Sequence, residues 1–321
     1  MALSDLAVFN EYAYTSMTEV CSQQIELFNS ASRGTITMRD SAHVGDYNEE
    51  TMFKKISGLV RRRNPYGTST RTVKQLQDLT DTHVKIAAGS EQVDLSGAYF
   101  KWLQRNPKEA GAAMGLQLAG DSLQDMLNTA VMAGRVALGQ TAAVVTDISA
   151  AGTPTMTPNT FVTGSSKFGD RANALAAWVM HSKPIFDIYG AAMTNANILF
   201  KYDTINIIAD PFGRVFVVTD SPSLLVTGTP NKYHTLGLVP GALYVDRNND
   251  FTDNIDSLNG GENIKQTYQA EWSYNLGVKG YAWDKANGGH APSDANIATA
   301  TNWDKYVTSD KDGPGVVIIS Q

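Results

Sequence analysis

Apolar residues recur near the start of the chain at the spacing of one helical face. Leu6, Phe9, Ala13, Met17, Val20 and Leu27 fall on a single stripe, which predicts an amphipathic helix over residues 4–30. Such a stripe on a terminal segment calls for cover, from the body of the chain or from a neighbouring molecule. The next stretch, "RGTITMRDSAHVGDYNEE", is polar and carries little helix signal. Residues 48–95 read as an extended excursion: "TMFKKISGLVRRR" leads into the turn signal "NPYGTST", and "DTHVKIAAG" returns as a strand in which Thr82, Val84 and Ile86 alternate with His83 and Lys85. The first half of that excursion is also compatible with a helix.

The clearest element begins at Asn106. Asn106 is placed as N-cap, Pro107 at the first helical position and Glu109 at the third, and Leu116, Leu123, Leu127, Ala130 and Val131 then hold one face. At 1.5 Å per residue this helix is about 45 Å long. Its many Ala and Gly residues favour close approach of another backbone. Beyond it, "AAVVTDI" and "TPNTFVTG" read as short strands, followed by two helices at about Arg171–Ser182 and Pro184–Asn195. "TINIIA", the turn "DPFG" and "RVFVVTD" read as a buried hairpin. "TLGLVPGALYVDR", "IKQTYQAEWSYNLGVKGYAWD" and the tail "GPGVVIISQ" read as further strands. The pattern predicts an α+β body with one arm and one long loop.

Composition narrows the class. The chain has 321 residues, 42% of them hydrophobic and 18% charged, enough for a core in one large or two ordinary domains. No apolar run reaches the length of a membrane span, and Met1–Asn10 has no basic start followed by an apolar core, which predicts a soluble protein made in the cytoplasm, with no membrane partner. A single cysteine, Cys21, excludes an intramolecular disulfide framework. A net charge of −6 disfavours a general nucleic-acid binder. The 27 glycines, with plentiful Asn, Thr, Ala and Ser, point to many turns rather than a plain helical bundle.

The search for chemistry starts at His181, Ser182 and Lys183, side chains from which nucleophilic sites are built. Leu175, Trp178, Val179, Ile185, Ile188 and Tyr189 recur around them at helical spacing with a Pro184 interruption, adjacent helical residues point about 100° apart, and no Gly-x-Ser-x-Gly elbow surrounds Ser182. The sequence therefore predicts a kinked helix with a polar edge rather than a catalytic centre. "GRVALGQT" at Gly134–Thr141 has the spacing of a phosphate-binding loop, but Gln140 stands where the lysine belongs and the segment ends a helix, with Gly139 as its expected cap. His43, His83, His181, His234 and His290 are scattered without metal-ligand spacing. "DRNND" at Asp246–Asp250 starts like a calcium loop, but Phe251 replaces the glycine and Ser257 the twelfth acid, so an acidic turn is the reading. Arg61, Arg62 and Arg63 are too few for a nucleic-acid patch. They are either a solvated run or a clamp on a partner. No catalytic, cofactor or metal residue is assigned.

Four stretches in order carry a resemblance: "DLAVFNEYAYTSMTEV"; "NPKEAGAAMGLQLAGDSLQDMLN"; "AWVMHSKPIFDIYG" with "DPFGRVFVVTD"; and "NLGVKGYAWD" with "TNWDKYVTSDKDGPGVVIIS". Together they resemble the major capsid proteins of tailed double-stranded DNA bacteriophages, of the Hong Kong 97-type fold, and look closest to those of epsilon-fifteen-like short-tailed phages. The resemblance implies an N-terminal arm over 1–47, an extended loop over 48–95, a peripheral domain over 96–160 and 270–321 with its spine helix at about 107–138, and an axial domain over 161–269. It implies hexamers and pentamers of this chain closed into an icosahedral shell in the virion, made in the host bacterial cytoplasm. The shell would enclose double-stranded DNA without sequence-specific binding. A separate scaffolding protein, a portal protein and a decoration or cement protein are the further partners it suggests. Some relatives join a loop lysine to an asparagine covalently; Lys74 lies in the loop here, and no matching asparagine and acid are identified, so no cross-link is expected. Residues expected at contacts between subunits are Arg61, Arg62 and Arg63 in the loop and Leu6, Phe9, Val20 and Leu27 on the arm. A nanocompartment shell of the same fold and an α+β enzyme of unknown chemistry stand as alternatives.

Overall fold

The computed structural model of the chain describes residues 3–54, 56, 58–95, 106–189, 197–202, 205–209, 215–259, 262–263 and 265–321. Two long helices, α1 (Leu3–Ala31) and α2 (Pro107–Gly139), pack against each other along much of their length. The α2 N-terminus forms as its sequence dictates: the Asn106 side chain accepts from the Glu109 N–H and Pro107 occupies the first turn. The face of α2 turned to α1 is almost without side chains. A Cβ added to Gly111 would overlap the carbonyl oxygen of Phe9, and one added to Gly115 that of Ala13. Four residues further on, Cys21 Sγ lies 3.8 Å from the carbonyl oxygen of Ala119. A Gly-x-x-x-Gly-x-x-x-Ala groove thus lets the α1 backbone sink onto α2. Leu6, Phe9, Ala13, Met17, Cys21, Ile25 and Phe28 form the buried stripe of α1.

The predicted stripe is corrected at its far end. Val20 is only partly buried and Leu27 is 55% exposed, because Cys21, Ile25 and Phe28 take over the inner face. On α2, Leu116 is likewise exposed, and Leu118, Leu123, Met126 and Leu127 carry the packing.

Strands are numbered along the chain. The first sheet has nine among the described residues: β1 (Ile36–Ser41), β2 (Tyr47–Phe53), β3 (Asp78–Gly89), β4 (Val93–Asp94), β12 (Leu243–Asn248), β13 (Thr252–Leu258), β14 (Lys265–Val278), β15 (Tyr281–Trp283) and β16 (Trp303–Lys305). The 14-residue β14 is its organiser, pairing with β12, β13, β3, β4 and β15. The second sheet runs β5 (Val145–Asp147), β17 (Gly315–Ser320), β11 (Lys232–Leu238), β6 (Ala177–Met180), β9 (Val215–Val218), β8 (Ile205–Ala209), β7 (Asn197–Tyr202), with β10 (Leu225–Val226) on β11. Helix α2 packs on β12 and β14 of the first sheet and on β11 and β17 of the second, so it is the spine between them. The α+β class follows directly. The strands do not sort at residues 161 and 269, however. β12 and β13 belong with the sheet of β14, and β5 joins the second sheet together with the returning last strand β17.

Four local readings change. Residues 177–180 are strand β6, not helix: Ala177, Trp178, Val179 and Met180 are all buried, and a short continuous apolar run fits a buried strand as well as a helix. Trp178 lies against Gly237 of β11 and edge-on to Phe161 at 4.9 Å. The helix after it, α4, is Ser182–Tyr189; its expected continuation to Asn195 and the turn "DPFG" lie outside the described residues. "TPNTFVTG" is a helix, α3 (Pro158–Ser166), because Thr157 and Thr160 close a capping box over Pro158. Gly139 is the last residue of α2 rather than a left-handed cap; Gln140 follows in right-handed geometry and donates to the Trp303 carbonyl oxygen at 3.1 Å. "DRNND" is the end of β12 and the turn after it, with Asp250 accepting from the Ser273 N–H at 2.9 Å.

His234 on β11 is held neutral. Burial, reinforced by the Arg135 guanidinium, lowers its pKa to about 4, against the weaker opposing effects of a hydrogen bond with the Leu224 backbone and of Asp147. The unfolded chain takes up a proton near pH 6.5 that the folded chain refuses until about pH 4, so stability falls as pH drops through that window. The loss approaches roughly 3 kcal/mol. Denaturant titrations of His234→Gln between pH 7 and pH 4 should show a shallower loss than the parent; parallel curves would exclude His234 as the source. A second prediction concerns the helix groove. Gly115→Ala should lower stability by about 1–3 kcal/mol through overpacking, despite the better helix propensity of alanine. Gly139→Ala, where a Cβ meets nothing within 4 Å, is the control and should be neutral or better in the same urea melts.

Candidate assembly surfaces

The chain between β2 and β3 projects from a firmly built root. Phe53 pairs with Asp78, and the Lys54 N–H donates to the Gln77 carbonyl oxygen at 2.8 Å. Beyond this point the described loop residues carry no ladder. The tip turns as its sequence predicts: the Asn64 side chain accepts from the Tyr66 N–H at 3.0 Å and the Asn64 carbonyl from the Gly67 N–H at 3.3 Å. The side chains on this loop are the wrong ones for solvent. Val60 and Tyr66 are each 94% exposed, and Phe53, Leu59, Val73 and Leu76 also stand out. Isolated surface hydrophobics are ordinary, but so many on one segment mark an interaction surface. Arg61, Arg62 and Arg63 are exposed among them and make no ion pair with the described residues. They are not on a strand.

β1, the strand before β2, is tied to the body by paired charges. β1 runs parallel to β12 with Arg39 opposite Asp246 and Asp40 opposite Arg247. Arg39 grips Asp246 bidentately at 2.8 and 3.1 Å, and Arg247 donates to Asp40 at 2.7 Å and to Ser22 of α1 at 3.1 Å. Arg39 also lies over the Tyr244 ring, and His83 of β3 stacks on that ring at 5.8 Å. Next to His83, buried Asp81 accepts from the Tyr306 hydroxyl at 2.7 Å. Burial, with the Asp81 carboxylate adding to it, pushes the Tyr306 phenol well above its ordinary pKa, so it stays a donor. Sequence reading missed this knot. Its members come from β1, β3, β12 and the chain after β16, and no local signal marks them: alternation with Val84 puts His83 on the solvent side of β3, where the fold buries it.

On the arm helix, Leu6 and Phe9 are buried within the subunit, Phe9 edge-on to Tyr268 at 5.8 Å; the Asn10 amide beside them donates to Asp253 at 2.9 Å. Of the arm residues expected at subunit contacts, Leu27 is free to meet another molecule and Val20 only in part. The Cys21 thiol is pushed up to about 11 by burial, which makes it inert at neutral pH.

His181, Ser182 and Lys183 do not make a relay. His181 Nδ1 faces Ser182 Oγ at 3.4 Å and Asp220 at 3.3 Å with the same ring nitrogen, so it cannot accept from a nucleophile while donating to an orienting acid. Asp220 instead accepts from the Ser182 N–H at 3.1 Å at the start of α4, and Lys183 pairs with Asp187 one turn on. Among the described residues no group of three or more His, Cys, Asp or Glu side chains is placed to hold a metal ion, and no helix is long and apolar enough to cross a membrane.

In sequence, no curated protein matches this chain. Among solved structures it is similar to the capsid asymmetric unit of cyanophage Pam1 (TM-score 0.47, 10% identity, 76% of this chain and 84% of that one). It is also similar to the capsid of Ralstonia phage GP4 (TM-score 0.49, 10% identity, 89% and 87%) and to the capsid of Myoviridae phage XM1 (TM-score 0.45, 12% identity, 77% and 86%). The sequence model of one family, Gp13-like, described as major capsid protein 13-like, matches residues 5–317. That match runs from the arm helix through the loop, the spine and both sheets into the last strand, and on it the chain belongs to the major capsid protein 13-like family, as a shell-forming structural protein.

Proposed function

We propose that this chain forms hexamers and pentamers that close into the icosahedral shell of a tailed bacteriophage, with a Hong Kong 97-type division into arm, extended loop, peripheral domain and axial domain. The observation that carries the reading, beside the family, is the loop between β2 and β3: a subunit on its own leaves Val60, Tyr66 and three arginines in water, and a lattice of subunits gives them partners. The protein works by contact rather than by chemistry, and no catalytic role is assigned to it. Its net charge of −6 suits the inside of a DNA-filled container, since an acidic wall repels the packaged duplex and leaves it free to be ejected. A separate scaffolding protein guides closure, a portal occupies one vertex, and a decoration protein can add to the finished surface.

Co-expression with the scaffolding protein should yield closed shells in electron micrographs. A chain that elutes only as a compact monomer under all conditions would refute the reading. Replacing Arg61, Arg62 and Arg63 together by alanine should leave circular dichroism and melting of the subunit nearly unchanged, because exposed charges contribute about 0–1 kcal/mol each to folding. The same variant should lose shells at lower salt than the parent. Equal assembly across a salt titration would reduce the three arginines to ordinary surface charge.

A further inference from the structure

The ribbon of β2 and β3 that carries the projecting loop is gripped from both faces at one level, and the two grips differ. Cross-strand partners share a face, so Glu50 stands with Asp81 on one side and Glu49 with Thr82 on the other. On the first side, buried Asp81 accepts from the Tyr306 hydroxyl at 2.7 Å. On the second side, the Lys285 ammonium pairs with the Glu49 carboxylate and lies over the Tyr47 ring, 5.2 Å from its centroid. Lys285 and Glu49 are each nearly half exposed. Behind this level Thr82, His83 and Val84 are buried. Beyond it Thr51, Met52, Phe53, Asp78 and Thr80 are exposed. The level of Glu49 and Asp81 is therefore a fulcrum, with a buried grip on one face and an exposed grip on the other.

The strap that presents Lys285 is firmly built. Residues 284–302 leave β15 and return to β16, and each flanking tryptophan spends its indole N–H on the strap's backbone. Trp283 donates to the Gly289 carbonyl oxygen at 2.9 Å and Trp303 to that of Ile297 at 3.0 Å, with the two rings edge-on at 5.0 Å. Asp284 closes a turn around Lys285: its side chain accepts from the Ala286 N–H at 2.8 Å, and its carbonyl oxygen from the Gly288 N–H at 2.8 Å. Gly288 has no room for a side chain, because a Cβ there would overlap the Trp283 ring. Lys285 is thus offered to β2 from a fixed backbone, and its side chain is the part that can let go. An exposed ion pair is weak and screened by salt, and an exposed cation–π contact adds little to it. We infer that Lys285, Glu49 and Tyr47 form a releasable latch on the projecting loop. Closed, it holds β2 to the strap and sets one angle of the loop. Open, it lets the ribbon bend away from the strap about the Asp81–Tyr306 bond, which stays made. The use of the latch rests on the shell reading, since rings of five and of six copies set neighbours at different angles. The latch itself belongs to the single subunit.

A pair of spin labels reads the angle. Asp78→Cys at the free end of the ribbon and Ala113→Cys on α2 are both exposed positions, and Cys21 is buried away from the label. In the unassembled full chain, double electron–electron resonance should resolve two distances, the share of the open one rising about threefold from low to high salt. Lys285→Met keeps the stem and loses the charge, and should leave the open distance alone at every salt concentration. Exchanging the charges, Lys285→Glu with Glu49→Lys, should bring the closed distance back. One distance in the parent that neither salt nor Lys285→Met alters overturns the latch, as does an exchange that fails to restore the closed state. If Lys285→Met melts below the parent, Glu49→Gln decides: it breaks the same pair from the other side and must give the same open distance, and a closed distance from it overturns the latch. A parent that shows both distances but never assembles removes the shell reading and leaves the latch standing. Shells built from a parent with one fixed distance do the reverse.

Discussion

The rest of the structure depends on how closely α1 lies on α2. Gly111 and Gly115 bring the carbonyl oxygens of Phe9 and Ala13 into the space where side chains would stand. That approach fixes the height of every later contact of α1. It seats Ser22 where it bridges Arg247 and Asp40, and places Asn29 to clamp Met38 through both its amide nitrogen and its amide oxygen. Between them the chain reverses at Arg33 and Gly34, both in left-handed geometry, and enters β1. β1 is then locked to β12 by reciprocal arginine–aspartate pairs, β12 to β14, and β14 to β3, from which the loop departs. Two glycines on the spine thus help to set where an assembly element begins some 60 residues earlier in the chain. The terminal helix is less an arm reaching outward than the foundation of the loop's root.

Much of this was legible in sequence where the signal is local. The α2 start was readable because capping is decided within four residues, and the small residues along α2 announced a close partner. The returning strand and its loop were readable from period-two alternation and the Asn-Pro-Tyr-Gly turn. What failed did so for stated physical reasons. Leu27 fits a drawn stripe but not the actual one, since the inner face follows Cys21, Ile25 and Phe28, and a free cysteine packs as a small hydrophobe. Trp178 was misread because its burial on both faces erases periodicity. The membership of β12 and β17 in their sheets depends on pairing across the chain, which no window shows.

The loop is held firmly at its root and carries no ladder along its described limbs. The root of the loop is held by a ladder, by stacked rings of His83 and Tyr244 and by buried Asp81 on Tyr306, whereas the described limbs beyond Lys54 have no ladder at all. Ordering a side chain at an interface costs about 0.5–1.5 kcal/mol, so a limb of exposed side chains binds more weakly than its area suggests. Weak single contacts are an advantage in a closed shell, because misplaced subunits must leave before closure, while many repeated contacts hold the finished lattice. A rigid root makes this workable: it aims the limb, so the entropy still to be lost is that of a loop rather than of a whole domain. On the proposed shell reading, stability of the fold and strength of the assembly are set by different residues, the first by the glycine groove and the charge knot, the second by the exposed side chains of the loop.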